Sequence, residues 1–221
     1  MKIARLACAL LGFVTLPALA QQAAPLPMPA PAQQSAPAPK PATVRVSLLT
    51  SEGPILLELE KERAPVTTGN FLRYVDAKRL DNTSFYRAVA VPNAPELGLV
   101  QGGIQFDPRK LFPPIAHEPT TKTGVLHTDG TISMARNAPG TAAGDFFITV
   151  GAMAYMDADP AASGDNAGYA AFGHVVEGMD IVRRILSAPR SPTLGTGMMK
   201  GQMLAKPVKI ISARRVATAK P

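Results

Sequence analysis

Few residues in this chain have types that could do covalent or metal chemistry, and their spacing argues against both. The three histidines, His117, His127 and His174, stand apart with no His-Glu-x-x-His pair, and the single cysteine, Cys8, lies near the N-terminus, so no zinc-type spacing exists. No Gly-x-Ser-x-Gly elbow is present to expose a serine nucleophile. Gly195-Thr196-Gly197 lacks the third glycine and the strand-to-helix setting of a dinucleotide site and reads as a loop. A metal-dependent hydrolase built on the three histidines would lose its activity to a chelator, but nothing in their spacing favours it. What remains is a set of apolar and hydrogen-bonding side chains on strand-like segments, a combination that suits holding a peptide without cutting it. Neither a metal nor a cofactor is called for.

The elements that must position such a set are short. Val44, Val46 and Leu48 alternate with Arg45 and Ser47, Ser51-Glu52-Gly53-Pro54 supplies a turn, and residues 55–60 resume as a second strand, which predicts an opening hairpin. Pro65 suits the first turn of a helix that carries Phe71, Leu72 and Val75 on one face as far as about Arg79. Strand patterns follow at 84–90, 98–101, 131–135, 146–150 and 170–176. A second amphipathic helix is predicted over 179–186, with Ile181, Val182 and Ile185 on one side, and 208–215 closes the chain as a strand. Many strands with two separated helices predict a mainly β domain, a closed antiparallel barrel with helices over its open ends.

The chain has 221 residues, 46% of them hydrophobic but only 5% aromatic, with 18 Gly and 22 Pro. One domain with tails is the expected organisation. Lys2 and Arg5 precede an apolar run ending in Ala18-Leu19-Ala20, the pattern of a signal peptide at 1–20 cut before Gln21. Cleavage would take Cys8 with it and leave a domain without thiols. Residues 21–43 contain seven Pro and seven Ala, too little apolar area to fold, and read as a disordered tether. That tether is a spacer or, alternatively, a Pro-rich ligand for a partner domain. The folded domain is expected over 44–217 and a short tail over 218–221. The net charge of +7 is scattered and forms no stripe, so no nucleic-acid partner is expected, and no later apolar run reaches the length of a membrane span.

Four segments carry a family resemblance. Phe85-Tyr86-Arg87, Gln101-Gly102-Gly103, Ser133-Met134-Ala135-Arg136 with Asp145-Phe146-Phe147-Ile148, and Tyr169-Ala170-Ala171-Phe172-Gly173-His174-Val175 follow one another as in the cyclophilin-type peptidyl-prolyl cis/trans isomerases. Thr50-Ser51-Glu52-Gly53, Asn70-Phe71 after Ala64-Pro65, and Val176-Glu177-Gly178-Met179-Asp180 are similar to the exported bacterial branch of that family. The resemblance implies an eight-stranded antiparallel barrel capped by two α-helices. It also implies an isomerase that turns X-Pro bonds in unfolded or partly folded exported polypeptides, as a soluble periplasmic protein expected to be a monomer. A peptide-binding or chaperone module of the same fold with weak turnover is the alternative.

By the same resemblance Arg87 is the catalytic residue, donating to the prolyl nitrogen. Leu99, Phe147, Met156 and Tyr169 line the proline pocket, Gln101 bonds the peptide carbonyl or steadies the arginine, and Ala135 and Arg136 offer backbone to the substrate. Phe147 reaches the groove if its neighbour Phe146 packs inward, because adjacent strand residues face opposite sides. Departures from the family pattern also carry expectations. Residues 88–100 are longer than usual, and Gly98 falls where a pocket phenylalanine belongs, so one pocket wall is expected to be missing. Asp145 replaces a more usual Gln and is expected to face the groove near Arg87, there orienting it or competing for its donors. Tyr155 takes the place of an indole that favours cyclosporin binding, and residues 157–168 read as a long solvated loop.

Overall fold

The computed structural model describes residues 41–105 and 107–217. The predicted signal peptide, all of the tether up to residue 40, and the tail at 218–221 lie outside the described residues. The strands are β1 (Val44–Thr50), β2 (Gly53–Leu59), β3 (Thr83–Val91), β4 (Ala94–Gly103), β5 (Thr131–Met134), β6 (Asp145–Val150), β7 (Ala171–Glu177) and β8 (Met203–Val216). They close into an antiparallel barrel in the order β1-β2-β7-β5-β6-β4-β3-β8. Closure leaves no unpaired sheet edge. Helix α1 (Pro65–Asp76) packs against β7 and β8, and α3 (Met179–Ser187) against β2, β3, β4 and β6. The one-turn helix α2 (Thr120–Thr123) is an addition to the two helices expected. Among the described residues no helix is long and apolar enough to cross a membrane.

Period-2 alternation puts the core inside the barrel. Val46, Leu48, Ile55, Leu57 and Leu59 of the first hairpin are fully buried, as are Phe85, Ala88, Val100, Phe146 and Ile148. Phe146 is the hub: its ring meets Phe71 of α1 edge-on at 5.4 Å and Phe85 at 5.7 Å. Such pairs add to the area buried.

Helix α1 starts without help from its own sequence, since its N-cap is Ala64 and no cap side chain bonds its amides. Glu118 supplies the missing acceptor from the long loop after β4. Its Oε2 accepts from the Thr67 amide at 2.6 Å and from the Thr67 hydroxyl at 2.8 Å, with Glu118 itself 1% exposed. A carboxylate there satisfies an orphan N–H and suits the positive end of the helix dipole.

The stretch at 88–100 continues both strands to a tight turn. Val91 pairs with Ala94 across Pro92-Asn93, and Asn93 takes the positive φ of 64° that asparagine tolerates better than most residues.

Candidate active site

A β-bulge builds the reactive corner. Phe85 pairs with Gly102 but Arg87 pairs with Gln101, so Tyr86 and Arg87 together oppose one residue of β4. Phe85 and Ala88 both point into the core, and the two residues between them therefore both face outward, on the side that carries Gln101. Re-aiming a side chain is what a bulge does to a regular strand. The outward set on the neighbouring strands completes the corner: Gln101 pairs with Phe147, and Phe147 with Ser133.

Arg87 is half-buried and clamped on two sides. Its Nη1 donates to Gln101 Oε1 at 2.7 Å, while Nε and Nη2 donate to Gln202 Oε1 at 2.9 and 2.5 Å. Gln202 is itself anchored, its carbonyl accepting from the Ala88 amide at 3.0 Å. Behind Gln101 the chain continues, with Gln101 Nε2 donating to the Tyr86 hydroxyl at 2.8 Å and that hydroxyl donating to Asp145 Oδ1 at 3.1 Å. A guanidinium only donates and a carboxylate only accepts, so the two ends fix the direction of every bond between them. Burial, reinforced by the charge of Asp145, raises the Tyr86 hydroxyl well above the ordinary tyrosine range, which keeps it a donor. Burial also lowers Arg87 from the usual guanidinium value, yet a guanidinium keeps its charge in proteins.

Opposite the guanidinium lies a cleft of about 240 Å³ lined by Leu99, Phe147, Met156 and Tyr169, with Ala135 and Arg136 along one side. Phe147 and Tyr169 meet edge-on at 5.3 Å, and Phe147 packs with Met153 and Met156 in an apolar cluster separate from the barrel core. Phe146 inside and Phe147 outside is the alternation expected from sequence. Val89, Asn137, Tyr155 and Met199 also line the cleft.

Two expectations need correction. Asp145 does not stand beside Arg87 and does not line the cleft. It is 3% exposed and accepts from Tyr86 and from the Gln105 amide at 2.7 Å, and it is linked to Arg87 through Tyr86 and Gln101. The bulge is the reason, because it interposes Tyr86 between the two. Arg136, expected to offer only backbone, has a side chain 2% exposed. It donates to both carboxylate oxygens of Asp165 at 2.7 and 2.9 Å and lies over the Tyr169 ring at 4.8 Å. The loop at 157–168 is mostly exposed, as expected, but this bidentate pair fastens it beside the cleft.

Sequence reading missed a support beneath Phe147. The His127 ring is stacked on Phe147 at 6.0 Å with an interplanar angle of 12°. His127 Nδ1 bonds Asp157 Oδ1 at 2.7 Å and Nε2 meets Ser133 Oγ at 2.9 Å. Asp157 fixes the tautomer, since a carboxylate requires Nδ1 to donate and leaves Nε2 to accept from Ser133. The order Asp-His-Ser is that of a hydrolytic triad, but Ser133 is fully buried and no substrate carbonyl can reach its oxygen. Burial lowers the His127 pKa, the Asp157 carboxylate only partly opposing it, so the ring is a neutral prop for the pocket floor. Gln202 was missed for a simpler reason, as 115 residues separate it from Arg87.

The arrangement pairs a fixed donor with an apolar slot of the size of a proline ring, and the comparison with known proteins decides what it is. The model of the cyclophilin type peptidyl-prolyl cis-trans isomerase family matches residues 45–215. The chain belongs to that family. Its activity is peptidyl-prolyl cis/trans isomerisation. Among similar proteins, the isomerase of Acinetobacter baylyi is 35% identical over 181 residues, covering 79% of this chain and 88% of that protein. Isomerase A of Dickeya dadantii is 33% identical over 175 residues, 78% of this chain and 84% of that one. The barrel is similar to the crystal structure of a cyclophilin type isomerase from Cryptosporidium parvum, with a TM-score of 0.61 at 19% identity over 80% of this chain and 100% of that chain. The isomerase thus has the fold of that family.

Proposed function

We propose that this isomerase turns X-Pro bonds of exported polypeptides while they fold, with Arg87 as the catalytic residue. Amide resonance sets a barrier of about 18–20 kcal/mol to the rotation. As the bond twists, the prolyl nitrogen becomes pyramidal and regains a lone pair that can accept a hydrogen bond. A donor held at that nitrogen therefore stabilises the twisted state more than either planar state, which is the condition for catalysis. The observation that carries the reading is the clamp. Three of Arg87's N–H groups are held by Gln101 and Gln202, and of the five that a guanidinium has one on each terminal nitrogen is left for the substrate. The apolar walls of the cleft hold the proline ring in both isomers, and no nucleophile or proton transfer is needed. Because Asp145 does not contact Arg87, those two donors are not taken by a competing carboxylate.

The substrate class follows from the same cleft. A structure of the Cryptosporidium parvum protein was determined in the presence of the dipeptide Ala-Pro, and we infer that proline-containing segments of unfolded chains occupy the slot here. The N-terminal pattern of Lys2, Arg5 and Ala18-Leu19-Ala20 supports export and signal removal, and with them the exported bacterial branch and a periplasmic location. Residues 21–43 then tether the barrel. Protease-coupled isomerisation of a proline tetrapeptide tests the activity: the account expects a faster slow phase, and a folded protein that leaves that phase unchanged would overturn it. Mass spectrometry of the exported protein tests the location, with a mature start at Gln21 expected.

A further inference from the structure

Gly98, where a pocket wall was expected to be missing, lines a second cavity. A cleft of about 250 Å³ adjoins the proline slot and shares Val89, Leu99 and Tyr155 with it. Gly98 sits in the ladder between Ala90 and Val150, and a Cβ there would lie 2.1 Å from the Val89 carbonyl oxygen, so no side chain can stand at this position. The cavity beside it is lined by Val91 and Pro92 of the hairpin that continues β3 and β4, and by Met153, which is 2% exposed. No charged side chain lines it. Tyr155, 74% exposed, lines both cavities.

We infer that this cavity is a specificity subsite that takes an apolar side chain, leucine- or phenylalanine-like, from a residue one or two positions away from the proline in the same polypeptide. The inference rests on the isomerase reading of the neighbouring slot and deepens it. Three observations select this occupant. The cavity shares three lining residues with the slot, so a chain bound at one has the other beside it. Its volume, about 250 Å³, is close to the slot's 240 Å³, room for one side chain. Its lining is apolar, so a charged residue placed there loses its hydration without gaining a partner. One extended residue advances the chain by about 3.3–3.6 Å, so a residue one or two positions from the proline lies within reach of the neighbouring cavity.

The test is a panel of labelled peptides with Ala, Leu, Phe or Asp at each of the two positions on either side of a central proline. Both kcat/KM for isomerisation and Kd from fluorescence anisotropy are measured on the whole protein. At one flanking position Leu or Phe is expected to give a kcat/KM at least about fivefold higher and a Kd at least about fivefold lower than Asp. Val91→Lys, which brings a charge into the cavity, and Val91→Trp, which fills it, are each expected to shrink that ratio to below about twofold. Each ratio is read against the all-alanine peptide on the same variant, which separates a change in the subsite from a change in the proline slot. A flat panel in the wild type, or an apolar preference that survives both substitutions, overturns the subsite. Absence of turnover on every peptide would overturn the catalytic reading instead, and the Kd ratios would still decide the subsite.

Discussion

Gln202 accepts from both Nε and Nη2 of Arg87 through a single oxygen, at 2.9 and 2.5 Å, from the residue that immediately precedes the last strand of the barrel. The strand pair β3 and β8 makes this possible, because the Ala88 amide holds the Gln202 backbone beside the bulge. The guanidinium is therefore oriented from the far end of the sequence as well as from its hairpin partner Gln101.

Removing that acceptor should disturb orientation rather than binding. Gln202→Met keeps the length of the side chain and loses the oxygen, and it should lower kcat by about fivefold to tenfold with KM within about twofold of wild type. A rise in KM at unchanged kcat would assign Gln202 to substrate binding instead.

Asp145 should act mainly on the fold. Its carboxylate is buried and accepts from the Tyr86 hydroxyl and the Gln105 amide, so Asp145→Ala leaves a buried donor without a partner and should destabilise by about 1–3 kcal/mol. Turnover per folded molecule should fall less than it does for Gln202→Met. Thermal unfolding alongside the peptide assay checks this, and a stable variant with a large loss of turnover would place the carboxylate in the catalytic machinery.

The parts of this isomerase that sequence discloses are those governed by local patterns. Val46 and Leu48 alternate with polar neighbours, Ile181, Val182 and Ile185 share a helix face, and Phe146 and Phe147 divide between core and cleft by strand parity. Arg87 and the pocket residues were reached through ordered family motifs, and the structure gathers Leu99, Gln101, Phe147, Met156 and Tyr169 around it. What escaped depends on register or on distant contacts. A bulge adds one residue without a distinctive composition, so the interposition of Tyr86 between Asp145 and Arg87 had no signal. Gln202 and Glu118 act at positions 115 and 51 residues from their partners. The extension of β3 and β4 was visible only as added length.

Acid should destabilise the protein through His127 before it reaches the carboxylates. The folded-state pKa of His127 lies below its ordinary 6.5, so the unfolded chain binds the proton more readily, and stability falls as pH drops below about 6.5 towards the folded-state value. The carboxylates of Asp76 and Asp81, lowered chiefly by their bonds to Arg215 and Arg214, act below their ordinary 3.8. Denaturant unfolding at pH 7.5 and 5.5 should show the loss, and His127→Gln should remove most of it. A pH-independent midpoint over that interval would contradict the neutral prop.

Glu118 caps a helix remote from Arg87, and its effect should be confined to stability. Glu118→Ala should cost about 0.5–2 kcal/mol, the range for loss of an N-terminal cap. Isomerase activity per folded molecule should be unchanged at 20 °C. A loss of activity without a loss of stability would mean that the long loop after β4 communicates with the cleft.

The central claim is that Arg87 stabilises the twisted bond, and the most direct measurement is kcat/KM for Arg87→Ala together with peptide Kd. The account predicts a fall in kcat/KM of at least about tenfold, roughly 1.4 kcal/mol of transition-state stabilisation, with Kd changed much less. Arg87→Lys should recover little, since an ammonium lacks the planar fork that satisfies Gln101, Gln202 and the substrate together. A folded Arg87→Ala protein with near-normal isomerase activity would contradict it.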